Sequence, residues 1–391
     1  MDMADNGWTL LITRELLERF AAADEPLGVT GVLRPEERLA IALRAAAPGD
    51  QTIGYGWREP FEPAGPAAIM VVVPPVGDVQ AWQEEAGYRS ALTLQVYSDS
   101  HRFARLERVL DVPRMRKAAV TIAGCGAVGS EMARQLASAG VRRFYLADMD
   151  FLMPVNMPRH ACDARDLFRR KADAVRDLVL HRNPEAQVDA CHADLTGDGY
   201  DWLRRAASAS DLLIAVTDSN RAQRLVHREA VRAAKPFLHA GLWERAFGGE
   251  VLWVLPRGSA LAQRFGVTPC WDCVFGAARN RRAEPARKTE DAPCLTLDPQ
   301  AGQPGAGVDL SFVTQVALGY ALAMLDADSS RCALLERQPN LVYIHSGKRL
   351  EWPEELRGPF DVRPREWATF APDCPVCGGT PAQELDAHIV L

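Results

Sequence analysis

Ala118-Ala119-Val120-Thr121-Ile122-Ala123-Gly124-Cys125-Gly126-Ala127-Val128-Gly129 is the stretch that decides the fold. Its first six residues form a short, mostly apolar run with β-branched members, the pattern of a buried strand. The glycines then fall as GxGxxG, directly after that strand and ahead of a helical stretch that reaches Gly140. The spacing gives each glycine a task. Gly124 permits a tight turn, Gly126 lets a phosphate or ribose approach the backbone, and Gly129 lets the helix pack closely on the strand. The helix N-terminus favours an anionic phosphate. The pattern predicts nucleotide binding, with a purely structural turn as the competing reading.

The alternation continues downstream. RFYLAD, ending at Asp148, reads as a second strand, and a helix is expected near 164 to 182, stopped by Asn183-Pro184. DLLIAV (211 to 216), PFLHAG and GEVLWVL read as further strands, with helices near 220 to 234 and 311 to 325. The proline-rich tail from Trp352 reads as irregular. Strands alternating with helices predict an α/β fold: a Rossmann-like, mostly parallel sheet with helices on both faces. Residues 1–97 read as a separate, small N-terminal α+β module of unknown role. Helix-like segments lie near 10 to 22 and 35 to 47, strand-like ones near 67 to 73 and 91 to 96, and no catalytic motif is present. Residues 98–391 form the nucleotide-binding domain.

An acidic residue about 20 positions after such a glycine loop can hold a ribose hydroxyl, and Asp148 ends the second strand there. That alone fits a dehydrogenase. The residues that follow do not: Asp148-Met149-Asp150, then Asn156, Arg159 and Lys171. A dehydrogenase has no need of this arginine and lysine. A charged surface loop is the bland alternative.

With a DxD, an asparagine, an arginine and a downstream lysine at these spacings, residues 100 to 380 resemble the ThiF/MoeB/ubiquitin-activating (E1-like) superfamily. The resemblance implies adenylation of a carboxylate, that of a small ubiquitin-like protein or peptide, with ATP on the glycine loop and its ribose on Asp148. Asp150, Asn156, Arg159 and Lys171 would complete the nucleotide site. The family places a magnesium-binding aspartate where Asp218 stands, just past DLLIAV; a helix N-cap is the other reading of that residue. Arg102-Phe103-Ala104-Arg105 resembles the family segment whose second arginine enters the partner's ATP site. This implies a homodimer with Arg105 acting in trans, against the alternative of a solvated basic helix. Cys294, in a polar Pro/Gly-rich segment with Arg287 and Lys288 nearby, matches the place of a thioester-forming cysteine. An unreactive loop cysteine competes with that reading. His160 stands where the family usually has glutamine, and Pro158 is a second departure.

Three versions of the function follow from the resemblance. One is an activating enzyme of a bacterial ubiquitin-like conjugation system, with Cys294 and a downstream conjugating protein. Another is sulfur-carrier activation. The third is a peptide-modifying enzyme of antibiotic biosynthesis.

Cysteine usage points to metal. Four of nine cysteines fall in two pairs, Cys270-Trp271-Asp272-Cys273 and Cys374-Pro375-Val376-Cys377. Two CxxC pairs supply a four-thiolate zinc site of the closed, structural kind, which would clasp the tail to the domain; a redox CxxC is the alternative. Cys125, Cys162, Cys191 and Cys332 read as structural. A net charge of −6 argues against nonspecific nucleic-acid binding. The longest apolar run, 67 to 76, contains two prolines, so no membrane span is expected. Acidic residues in MDMADNGW argue against a secretory signal, and the expected location is cytoplasmic.

Overall fold

The structure, a computed structural model, describes residues 5–46, 52–59, 69–75, 78–85, 88–97, 100–243, 246, 248–279, 305–336, 339–345, 360–365, 369–371 and 374–378. The chain forms two compact units, Met1–Glu107 and Arg108–Leu391.

The first unit holds seven strands: β1 (Asp5–Thr13), β2 (Leu27–Arg34), β3 (Leu39–Ala45), β4 (Gly54–Trp57), β5 (Ile69–Val72), β6 (Gln80–Glu85) and β7 (Tyr88–Tyr97). They close into a barrel in the order β1-β3-β2-β4-β5-β6-β7, sealed by parallel pairing of β7 with β1. The helix Arg14–Ala22 starts where Thr13 Oγ1 accepts from the Leu16 amide. Its Leu16, Leu17 and Phe20 join Leu10, Ile12, Val29, Ala40 and Ile69 in the barrel core.

Two expectations are corrected here. Residues 10 to 13 belong to β1, and the helix expected over 35 to 47 is a short 3-10 turn followed by β3. The segment LAIALRA is apolar at nearly every position, so it satisfies a period of 2 as well as 3.6. Antiparallel pairing with β2 and parallel pairing with β1 settle it as a strand, with small Ala40 and Ala42 buried. The unit is therefore an essentially all-β barrel with one long helix.

The second unit is α/β, as the alternation predicts. Its strands are β8 (Ala119–Ala123), β9 (Arg143–Ala147), β10 (Gln187–Cys191), β11 (Leu212–Ala215), β12 (Phe237–Leu242), β13 (Gly248–Val254), β14 (Leu341–His345) and β15 (Asp361–Pro364). They form one sheet in the order β10-β9-β8-β11-β12-β13-β14-β15. The first five are parallel and the last three antiparallel. One face packs on the helices Ala127–Ser138, Lys171–Arg182 and Gly307–Leu325. The other packs on Tyr200–Ala209, Asn220–Arg232 and Trp271–Arg279. Along β11, Leu212 and Ile214 face one core, Leu213 and Ala215 the other, and all four are buried. A parallel sheet covered on both sides requires that.

The helix expected from 164 begins only at Lys171, because Phe168 has φ 64 and breaks the run after a 3-10 turn. The tail is not wholly irregular: β15 pairs with β14. Gly307–Leu325 is, among the described residues, the one helix long and apolar enough to cross a membrane. Its Val313, Ala317 and Ala321 are fully buried in the core, so the apolarity is that of a core helix.

Candidate nucleotide site and four-cysteine centre

The glycine loop joins β8 to the helix Ala127–Ser138. Gly124 has φ 99, and a Cβ there would lie 2.7 Å from the Val216 carbonyl oxygen. A Cβ on Gly129 would come within 1.8 Å of the Gly124 carbonyl oxygen, so no side chain fits. A Cβ on Gly126 would meet nothing within 4 Å. Gly124 and Gly129 are demanded by packing, and Gly126 opens onto free space where a ligand can approach. Gly126 caps the helix without a side-chain acceptor, so the positive end of the helix faces that space.

Asp148, immediately after β9, holds this loop. Its Oδ2 accepts from the Cys125 amide at 2.7 Å and its Oδ1 from the Asp150 amide at 2.8 Å. Each oxygen retains acceptor capacity for a ligand hydroxyl. Burial raises the Asp148 pKa; the Lys171 cation opposes this and the Asp150 carboxylate adds to it. Lys171 opens its helix with a nearly buried side chain and donates from Nζ to Asp150 Oδ2 at 3.0 Å. Burial works to lower the Lys171 pKa, but Asp148, Asp150 and Asp218 outweigh it and the ammonium is held charged. The structure thus brings Asp148, Asp150, Lys171 and Asp218 into one electrostatic group beside the glycine loop.

Asp218 is exposed on the turn after β11. It is not the helix cap: Ser219 is, accepting from the Ala222 amide through Oγ. The N-cap reading of Asp218 is corrected, because the helix starts one residue later.

Asn156 shapes the next turn. Its side-chain oxygen accepts from the Met153 amide, and its carbonyl accepts from the amides of Arg159 and His160. A Cβ on Gly305 would lie 3.7 Å from the Arg159 guanidinium, so Arg159 runs toward the start of Gly307–Leu325. His160, read from sequence only as a departure, is buried and hydrogen-bonded to the glycine loop. Arg105 is exposed and belongs to the first unit. Cys294 lies outside the described residues. Burial pushes the Cys162 thiol up to about 12, away from the thiolate form that a nucleophile needs.

Cys270, Cys273, Cys374 and Cys377 converge, with all four sulfurs within 4.8 Å of one another. The Cys270–Cys374, Cys273–Cys377 and Cys270–Cys273 separations are 3.5, 3.3 and 3.7 Å. A tetrahedral zinc with about 2.3 Å bonds sets sulfurs about 3.8 Å apart, so the donor set fits one ion. Hydrogen bonding from Cys270 holds the Cys273 thiol down at about 6, while the same shared bonding pushes Cys270 up. Beside the cluster, Asp272 accepts from Arg224 Nε at 2.5 Å, with His227 and Arg228 against the same carboxylate. Arg228 Nε is buried without a hydrogen-bond partner, in the field of Cys270 and Cys374. Four thiolates around a divalent ion carry two negative charges, which such a cation offsets. The sequence reading missed this support, although a charged residue inside a CxxC was its visible signal.

Residues 97–388 match the ThiF family model. Ubiquitin-like modifier-activating enzyme 5 of Caenorhabditis elegans is 26% identical over 186 residues, 46% of this chain and 42% of that one. Its counterpart in Drosophila grimshawi is 24% identical over 235 residues, 58% of this chain and 56% of that one. The chain thus spans about half the length, or less, of these curated relatives. In fold it is similar to E. coli MccB solved with MccA-N7isoASN, at 18% identity and TM-score 0.52, covering 72% of this chain and 75% of that one. MccB solved with ATP gives 17% identity and TM-score 0.50 over the same shares. The family match takes in the glycine loop, the Asp148–Lys171 group, Asp218 and both cysteine pairs, and the chain belongs to the ThiF family.

Proposed function

We propose that this protein uses ATP to adenylate the C-terminal carboxylate of a small protein or peptide. The observation that carries the reading is Lys171, which pairs with Asp150 at 3.0 Å in the field of Asp148 and Asp218, beside a helix N-terminus that no side chain caps. A nucleotide whose only job is to present a nicotinamide needs one carboxylate for its ribose. Two further carboxylates, a lysine and Arg159 match a triphosphate with a divalent cation. A substrate carboxylate oxygen attacks the α-phosphorus, the bond to the pyrophosphate oxygen breaks, and pyrophosphate leaves with those electrons. Lys171 and Arg159 balance the charge that develops on the departing group. Asp218 and Asp150 would supply oxygen donors to Mg2+, which would screen the phosphates. Cys270, Cys273, Cys374 and Cys377 would hold a structural Zn2+ that takes no part in these steps.

Cys294 then attacks the acyl carbon as thiolate, and AMP leaves. The curated relatives, activating enzymes for a ubiquitin-like modifier, support this version with a small ubiquitin-like protein as substrate. The fold's likeness to MccB, a Microcin C7 biosynthetic enzyme solved with N-formylated MccA, supports a peptide substrate whose adenylate reacts directly. One experiment separates the two. With the true substrate, Cys294→Ala should retain ATP–pyrophosphate exchange and lose a reductant-sensitive adduct on denaturing gels. An adduct that persists moves the nucleophile elsewhere, and no adduct in the wild type favours direct attack. Release of ADP in place of AMP contradicts adenylation itself.

The same reading makes the protein a homodimer in which Arg105 acts on the partner's ATP. Mixing the two inactive variants Arg105→Ala and Asp218→Ala should restore one intact site per mixed dimer. No recovery despite proven subunit exchange removes Arg105 from a trans role.

A further inference from the structure

His160 is 9% exposed, and both of its ring nitrogens are committed. The Cys162 amide donates to Nδ1 at 3.1 Å, so Nδ1 carries no hydrogen. The ring proton therefore sits on Nε2, which donates to the Cys125 carbonyl at 2.8 Å. Cys125 is the second residue of the glycine loop, and its own amide is fixed by Asp148. One neutral imidazole thus bolts the turn that carries Arg159 to the glycine loop. A second tie, from the Ala161 amide to Ser130 Oγ at 3.2 Å, reaches the helix Ala127–Ser138 that follows the loop.

We propose that His160, as the neutral Nε2–H tautomer, is a positioning residue that sets Arg159 against the phosphates. The inference rests on the adenylation reading. Protonation at Nδ1 replaces an acceptor by a donor facing the Cys162 N–H, so the bolt fails in acid. The groups facing the ring come from three elements besides its own: Cys125 from the loop, Lys171 from the helix Lys171–Arg182, and Asp166 from the turn Ala164–Asp166. Burial lowers the His160 pKa; the hydrogen bond to Cys125 opposes this, Lys171 adds to it and Asp166 opposes it. The neutral form is therefore complete above the ordinary imidazole range and is lost only as pH falls below it.

The test compares wild type, His160→Gln and His160→Phe in ATP–pyrophosphate exchange across about pH 5 to 8. A glutamine amide offers one donor and one acceptor at similar reach, and should keep kcat within about threefold. Phenylalanine fills the space with neither, and should lower kcat by on the order of 10-fold, the scale of one lost positioning hydrogen bond. The acid limb of the wild-type profile should move to lower pH in His160→Gln, which has no imidazole to protonate. Wild-type kcat in His160→Phe, or an unmoved acid limb in His160→Gln, overturns the proposal. If His160→Phe does not fold, the acid-limb comparison decides alone. If the wild type shows no exchange, the adenylation reading fails, and the bolt is judged by Mg·ATP affinity in the same proteins. Weakening in His160→Phe with retention in His160→Gln then upholds it, and equal affinities overturn it.

Discussion

Lys171→Met should lower substrate-dependent ATP–pyrophosphate exchange by on the order of 100-fold or more, the usual cost of losing a group that meets developing phosphate charge. Methionine keeps the apolar stem that the site buries and removes only the ammonium. Two effects then add. The leaving pyrophosphate loses its counter-charge, and Asp150 loses the cation 3.0 Å from its carboxylate. Asp148, already raised by burial and by Asp150, loses the Lys171 charge that opposes them. Its carboxylate should protonate more readily, loosening its grip on the Cys125 and Asp150 amides. Asp218→Ala should show a loss of similar size that added magnesium partly offsets, because the remaining carboxylate still binds the ion weakly. Near-wild-type exchange in folded Lys171→Met would remove the lysine from the chemistry.

The second large effect concerns stability. Cys374→Ser should reduce zinc from about one ion per chain to a small fraction, since a closed four-thiolate site tolerates no missing donor. Unfolding midpoints should fall by an amount equivalent to several kcal/mol, because the free energy of metal binding is spent on folding. The loss should centre on the second hydrophobic core. Cys270, Trp271, Phe275, Cys374 and Val376 are buried there together, and the ion would tie the 374–378 segment to the helix Trp271–Arg279 through Cys273. Trp271, 1% exposed, offers a fluorescence signal for the opening. A zinc-free protein that is fully folded and active would refute a structural metal.

The parallel sheet was legible because its strands are buried on both faces, and AAVTIAG and DLLIAV are therefore nearly unbroken apolar runs. The grouping of Asp148, Asp150 and Lys171 was legible by spacing from the glycine loop, since β8, its turn and β9 set Asp148 against that loop. The edge strand β10 was missed. Its QVDAC has no fully buried residue and carries no such run. The first unit was misread for the opposite reason: LAIALRA has too many apolar residues to reveal a period. What closes the barrel is the pairing of β1 with β7, some eighty residues apart, and no local pattern records it. His160 was visible only as an oddity, because its partner is a backbone carbonyl 35 positions away.

Closure of the first unit limits how it can hold another chain. A sheet with a bare rim can recruit an extended tail as one more strand, through backbone hydrogen bonds indifferent to sequence. A ring in which β7 returns to β1 has no bare rim. Whatever the unit recognises must be read by side chains on its outer wall or by its connecting loops, and recognition of that kind is sensitive to sequence. Among the described residues, strand addition is open only at the rims of the large sheet, β10 and β15. A foreign tail that binds there should tolerate substitution, and one that binds the ring should not.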